Sequence, residues 1–238
     1  IRRAVELLAN EYVWYTKNKQ QGKGLNRGGL DKQLTSETLT YMYRLLFLFY
    51  AEARSGDLGL LPMNSDEYRM GYSIESLRDL EQVKLNTEKA KSGYYLNESL
   101  EKLFKLINDG HTPTQLEFSA SDTVEYAAAQ TGVFGTGEVP QGRLKMSPGT
   151  SKKKADKQYT DYEFSIEALG SPLFDQAKTP LLSKAKYRNA VLQEIIQLLS
   201  LSKEGRGRKS GRGRISYAQL GINQLGAVYE GLLSYTGF

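Results

Sequence analysis

Between Leu39 and Ala53 only Thr40, Arg44 and Glu52 interrupt an unbroken run of apolar and aromatic residues. Apolar side chains at every position around a helical axis are the pattern of a helix covered on most sides. The stretch Ser36 to Arg54 therefore predicts a buried central helix, around which the rest of the chain must be wrapped. Ser36 is the expected cap, Glu37 suits the positive end of the helix dipole, and Ser55-Gly56 supplies the expected stop. A membrane span needs roughly 20 apolar residues. This run is shorter and contains Arg44 and Glu52, so no membrane partner is expected.

The chain has 238 residues, 39% hydrophobic and 25% charged, the composition of a globular protein with polar loops. One irregular domain over 1–238 is the preferred reading. The first residues, Ile1-Arg-Arg-Ala-Val-Glu, already read as an amphipathic helix, and with no initiator Met the sequence looks cut from a longer one. No cysteine is present, which fits the cytoplasm.

The net charge of +5 matters less than its placement. Six basic residues oppose Glu204 between Lys203 and Arg214, and six oppose Asp156 between Pro140 and Gln158. A mildly acidic helical body with two basic loops suits contact with phosphates, which requires clustered Lys and Arg.

Along the chain, Ala4, Leu7, Leu8, Glu11 and Tyr15 form a stripe that predicts a first helix over residues 2–17, with Trp14 beside it. Gln21 to Gly29 is glycine-rich but matches neither phosphate-binding glycine motif, and reads as a loop. Residues 56–71 read as loop. Ser73 is expected to cap a helix carrying Ile74, Leu77 and Leu80, and a further helix is expected from Asn97 to Asn108, stopped by Gly110. Residues 86–93 read as an exposed connection between them. Residues 118–158 read as a polar, flexible insertion, with capping-box spacing at Asp122 and Glu125. Tyr162, Phe164 and Ile166 alternate as in a short strand. A helix is expected over Ser183–Ser202. Ser216 and Gln219 have capping-box spacing before a last helix with a stripe of Leu225, Val228, Tyr229 and Leu232. The fold expected is mainly α: an irregular helical domain around a central helix at about 36–54, with a long polar insertion and at most short strands.

Three blocks resemble a known family. They are Tyr43-Arg-Leu-Leu-Phe-Leu-Phe-Tyr-Ala-Glu-Ala-Arg54 with Leu58-Gly-Leu-Leu-Pro62 and Tyr72-Ser-Ile-Glu-Ser-Leu-Arg78; Gly170-Ser-Pro-Leu-Phe-Asp175; and the run from Ile215 to Leu233. In this order they are similar to the region ahead of the catalytic domain in large adenine-N6 DNA methyltransferases. That group includes type IIG and IIL restriction-modification enzymes and the PglX-like and DISARM-type methylases of phage defence. Gly170–Asp175 departs from the family's Asn-Gly-Gly-Leu-Phe-Asp element by having Ser-Pro in place of Gly-Gly. The resemblance implies DNA as a partner, a downstream methyltransferase domain, and S-adenosylmethionine as the cofactor of the parent enzyme.

None of that chemistry is expected in this chain. Adenine methylation in the family uses an Asn/Asp-Pro-Pro-Tyr/Phe loop on which the flipped base stacks, and no two of the six prolines are adjacent. Phe134-Gly-Thr-Gly137 lacks the spacing of the cofactor loop. A magnesium nuclease of the Asp...Glu-x-Lys type is a further alternative, yet no Glu is followed at the second position by Lys. The one histidine, His111, cannot form a zinc cluster with cysteines that are absent, and reads as a helix-end or surface residue. Most of the 16 tyrosines read as packing residues.

The segment Lys203–Arg214, KEGRGRKSGRGR, is the foremost binding candidate. Guanidinium groups on a Gly-interrupted backbone can make bidentate contacts to phosphates. The DNA-contact candidates are Lys203, Arg206, Arg208, Lys209, Arg212 and Arg214, with Lys152, Lys153 and Lys154 of the other basic loop. The alternatives are a solvated linker, or a protein-interaction scaffold of a defence complex whose basic loops meet an acidic partner. No catalytic, cofactor or metal-binding residue is expected here.

Overall fold

A run of apolar side chains too wide for one helix face forces the chain to cover its central helix from several directions, and the computed structural model shows how. It describes residues 1–25, 28–112, 164–202 and 213–233. Helix accounts for 66% of the structure with no sheet among the described residues, so the fold is mainly α. The principal helices are α1 (Arg2–Lys19), α2 (Leu30–Ala53), α3 (Ser55–Leu58), α4 (Asp66–Gly71), α5 (Ile74–Asp79), α6 (Glu88–Ser92), α7 (Tyr95–Asp109), α8 (Asn189–Ser200) and α9 (Ile222–Leu233).

The central helix is α2. Met42, Leu45, Leu48 and Ala51 are fully buried along it, and Leu46, Phe49 and Tyr50 nearly so. Helices α1, α5 and α9 pack against it. It starts at Leu30 rather than at Ser36, with Gly29 in the left-handed region at φ 79° as its cap. Leu34 is already buried two residues before Ser36, and Gln33 donates to Glu37 across one turn at 2.8 Å. The apolar face thus extends upstream beneath a polar exterior. At the other end α2 stops at Ala53, within a residue of the expected end, and Ser55-Gly56 opens the single turn of α3.

Several short helices occupy stretches expected to be loop. Helix α4 is capped by Ser65, whose Oγ accepts from Tyr68 N at 3.4 Å, and α6 by Thr87, whose Oγ1 accepts from Ala90 N at 3.1 Å. The expected cap of α5 is present: Ser73 Oγ accepts from Ser76 N at 3.1 Å. Helix α7 presents Leu96, Leu100, Leu103, Phe104 and Ile107 to the core and ends at Gly110, φ 74°. There His111 pairs with Ile166 through two backbone bonds of 2.8 Å. That isolated bridge is what the expected strand comes to within the described residues. The 118–158 insertion, with its Asp122–Glu125 capping box, lies outside the described residues.

The helix expected over Ser183–Ser202 starts only at Asn189. Before it come a tight turn at Leu182–Lys184 and an extended run. Side chains from elsewhere capture the backbone donors a helix would have used. Tyr187 N donates to Asn97 Oδ1 at 3.3 Å and Arg188 N to Glu11 Oε1 at 3.2 Å. Similarly, Ser216-x-x-Gln219 forms a tight turn, and α9 begins after it, with Gly221 N donating to Gln224 Oε1 at 2.9 Å. Among the described residues no helix is long and apolar enough to cross a membrane.

Candidate nucleic-acid interface

The described residues that flank the basic segment after α8 are held together. Leu201 and Arg214 face each other in an antiparallel bridge. Ser202 N donates to Gly213 O at 2.8 Å and Ile215 N to Ser200 O at 2.7 Å. Arg78, buried on α5, reaches both sides of this base: Nη2 donates to Ser200 O at 3.1 Å and to Ile215 O at 2.7 Å. Its guanidinium lies 5.7 Å from the ring of Phe49, which itself stacks on Tyr217 at 5.1 Å. Tyr217 donates to Leu199 O at 2.6 Å, and burial pushes its hydroxyl up to about 12.

Of the expected DNA-contact residues, Arg214 is the one within the described residues; Lys203, Arg206, Arg208, Lys209, Arg212 and Lys152, Lys153 and Lys154 lie outside them. Arg214 turns inward to carboxylates. Its Nη2 is 2.9 Å from Asp79 and its Nε 3.0 Å from Glu81, with Glu75 at 3.7 Å. The hydrogen bond to Asp79, helped by Glu81, holds the guanidinium more firmly protonated than usual. Glu81 is fully buried, and its second oxygen accepts from Ser200 Oγ. Arg78, Glu75, Asp79 and Glu81 were not among the expected site residues. A sequence signal for them is weak, since each lies more than 100 positions from its partner at the loop base.

The same device recurs across the domain: buried ionic groups on α2 grip backbone groups elsewhere in the chain. Arg44 of α2 donates to Leu173 O and, at 2.9 Å, to Asp175 O. Burial, the larger effect, depresses its basicity. This fixes Gly170–Asp175, with Phe174 buried against Phe47 and Phe104. Glu37 accepts from Leu181 N and Leu182 N at 2.8 and 3.0 Å. Glu52 accepts from Tyr68 Oη, Ile74 N and Glu75 N at 2.9, 2.8 and 3.0 Å, which places it at the positive end of α5. Polar groups buried with this many partners are satisfied, structural groups.

An open groove of ≈ 750 Å³ runs between Leu60–Asn64 and Ser165–Leu169, with Glu167 the one ionisable residue among its described lining. No group of three or more His, Asp or Glu residues is placed to hold a metal among the described residues. His111 is exposed, with its ring 5.1 Å from Phe164. What the described residues offer chemically is therefore a fixed pairing of the two flanks of a segment that is basic in sequence. No protein-family model, curated protein or solved structure matches the chain.

Proposed function

We propose that the chain is a non-catalytic helical segment of a site-specific adenine-N6 DNA methyltransferase of a restriction-modification or anti-phage system. It braces the catalytic domain and holds DNA phosphates through the Lys203–Arg212 loop. S-adenosylmethionine is bound by the downstream methyltransferase domain, and the parent enzyme works in the cytoplasm. The observation that carries the DNA-contact reading is the pinned base of the loop. Arg78 and the Leu201–Arg214 bridge fix both ends, while five basic residues oppose Glu204 in the sequence between them. Fixing the ends in advance lowers the ordering cost of binding, and the charge supplies the phosphate attraction. The family assignment rests on the sequence blocks alone, two of which meet α2 and its Arg44 anchor.

One feature favours the scaffold reading instead. Glu75 and Asp79, with side chains 42% and 68% exposed, stand beside the loop base, and their charge opposes the approach of a polyanion. Fluorescence anisotropy with duplex DNA across a salt series decides between them. DNA contact requires affinity that falls with salt by about 0.9 log units per log unit for each neutralised phosphate, and a loss when Arg206, Arg208, Lys209 and Arg212 are replaced by Ser. Binding that is absent, or indifferent to that replacement, returns the loop to the scaffold reading. Saturable binding of S-adenosylmethionine by this chain in calorimetry would overturn its non-catalytic role.

A further inference from the structure

The end of the Leu182–Lys184 turn and the extended run after it carry a second basic surface. Ala185 and Tyr187 are buried, whereas Lys184 and Lys186 are exposed and Arg188 is half-buried. Burial alternates from Lys184, which closes the turn, through the extended residues to Arg188, so the basic residues share the more open side, with alternate residues of the extended part about 6.6 Å apart. That interval is comparable to the separation of successive phosphates on one nucleic-acid strand.

The ladder is held against α1 and α7. Gln20 Nε2 donates to Lys184 O at 3.0 Å, Lys186 Nζ stands 5.7 Å from the ring centre of Tyr94, and Arg188 lies 3.6 Å over Trp14. Basic side chains interleaved with aromatic rings are the composition of surfaces that track a nucleic-acid backbone. Lys17 and Lys19, in the last turn of α1, add to the positive field.

The charges are not equally committed. Arg188 is fixed by Glu11. Lys186 pairs with Glu98 at 3.2 Å, both side chains about half exposed, a contact weak enough to exchange for a phosphate. Lys184 has no ionic partner among the described residues. The ladder sits at the N-terminal end of α8 and the Leu201–Arg214 bridge at its C-terminal end. Twelve residues at 1.5 Å each separate the two ends by about 18 Å, roughly half a turn of duplex.

We infer that Lys184 and Lys186, beside the Arg188–Glu11 pair, form a second contact for a nucleic-acid phosphate backbone, independent of the Arg-Gly loop and at the opposite end of α8. The partner is a phosphodiester strand rather than an acidic protein, because the two exposed lysines alternate at about the interval of successive phosphates and aromatic rings flank the run.

The test measures anisotropy of labelled single-stranded and duplex DNA with the full chain, for the parent, Lys184→Ser/Lys186→Ser, and the four-residue loop variant. The ladder variant is expected to lose affinity for all sequences alike and to flatten the slope of log affinity against log salt by about 1.8 for two duplex phosphates. A larger relative loss on single strands would assign the ladder to a lone strand, and an equal loss to duplex. Unchanged affinity and slope overturn the inference, as does a parent that binds neither DNA. A Lys184→Arg/Lys186→Arg variant keeps both charges, so equal losses in the Arg and Ser variants also overturn it by exposing a folding defect. If only the loop variant loses binding, the loop stands and the ladder falls; if only the ladder variant does, the reverse holds.

Discussion

Arg188 and Glu11 close a bidentate pair, Nε to Oε1 and Nη2 to Oε2 both at 2.7 Å. The Arg188 backbone N–H adds a bond of 3.2 Å to the same carboxylate, and the guanidinium covers Trp14. The two partners are unequally buried: the Glu11 side chain is 3% exposed and that of Arg188 29%. Removal should therefore be asymmetric. Arg188→Ala strands a buried carboxylate, for an expected loss of about 3 kcal/mol, whereas Glu11→Ala leaves a guanidinium that water can reach, for an expected loss of about 1–2 kcal/mol. Urea denaturation of the two variants checks the order; equal losses would mean that the pair is not desolvated as described.

Glu52 gives the domain a pH dependence. Burial pushes its carboxyl from 4.5 up to about 7, against the opposing pull of hydrogen bonds from Ile74, Glu75 and Tyr68. Between those values the folded state holds a proton that the unfolded chain has released. Stability thus falls as pH rises from about 4.5 to about 7 and levels off above, by about 3 kcal/mol at roughly 1.4 per pH unit. Glu52→Gln does not titrate. The difference in unfolding free energy between parent and variant should change across this window and be flat on either side. A difference constant from pH 4 to 8 would show that folding leaves the Glu52 carboxyl at its ordinary value.

Gly110 is held in a conformation open only to glycine, φ 74° and ψ 175°. A Cβ there would meet Ala168 N at 2.7 Å and Ile166 O at 2.9 Å. Backbone atoms cannot swing aside as a flexible side chain can. Gly110→Ala is therefore expected to cost at least the 1–3 kcal/mol of the strained backbone and to break the His111–Ile166 bridge. A lowered melting temperature, with fast amide exchange at His111 and Ile166, is the expected record.

How much of this was legible in the sequence follows from what kind of force holds each part. Leu45 and Leu48 of α2, and Leu100, Leu103 and Ile107 of α7, announce themselves by periodicity, and burial keeps them where the pattern puts them. Arg44 and Glu52 read only as interruptions, because their partners are backbone groups that periodicity cannot name. Glu37 meets Leu181 across 144 positions, and nothing local at either residue signals the other. The Lys184–Arg188 ladder was hidden for the same reason. Local propensity favours continuing α8 backwards through it, and remote side chains, among them Asn97, Glu11 and Gln20, draw the backbone out. Of the basic loop, charge and glycine content were readable, whereas the Arg78 anchor at its base was not.

Arg214 separates the structural and DNA-contact roles of that segment. It stands at the end of the Arg-Gly run, yet its guanidinium is engaged by Asp79 and Glu81. Glu81 is wholly buried and would keep only Ser200 Oγ as a side-chain partner. Arg214→Ser should therefore destabilise the domain by about 3 kcal/mol, the low end for breaking a buried pair, since Arg214 itself is partly wet. Replacing Arg206, Arg208, Lys209 and Arg212 together should leave the thermal melt near that of the parent while lowering DNA affinity and its salt slope. Adding Glu81→Gln to Arg214→Ser tests the cause, because it removes the stranded charge and should recover part of the lost stability. A Ser variant at Arg214 that melts with the parent would show instead that its guanidinium is free for phosphates, which would make it the sixth cation of the DNA-contact loop.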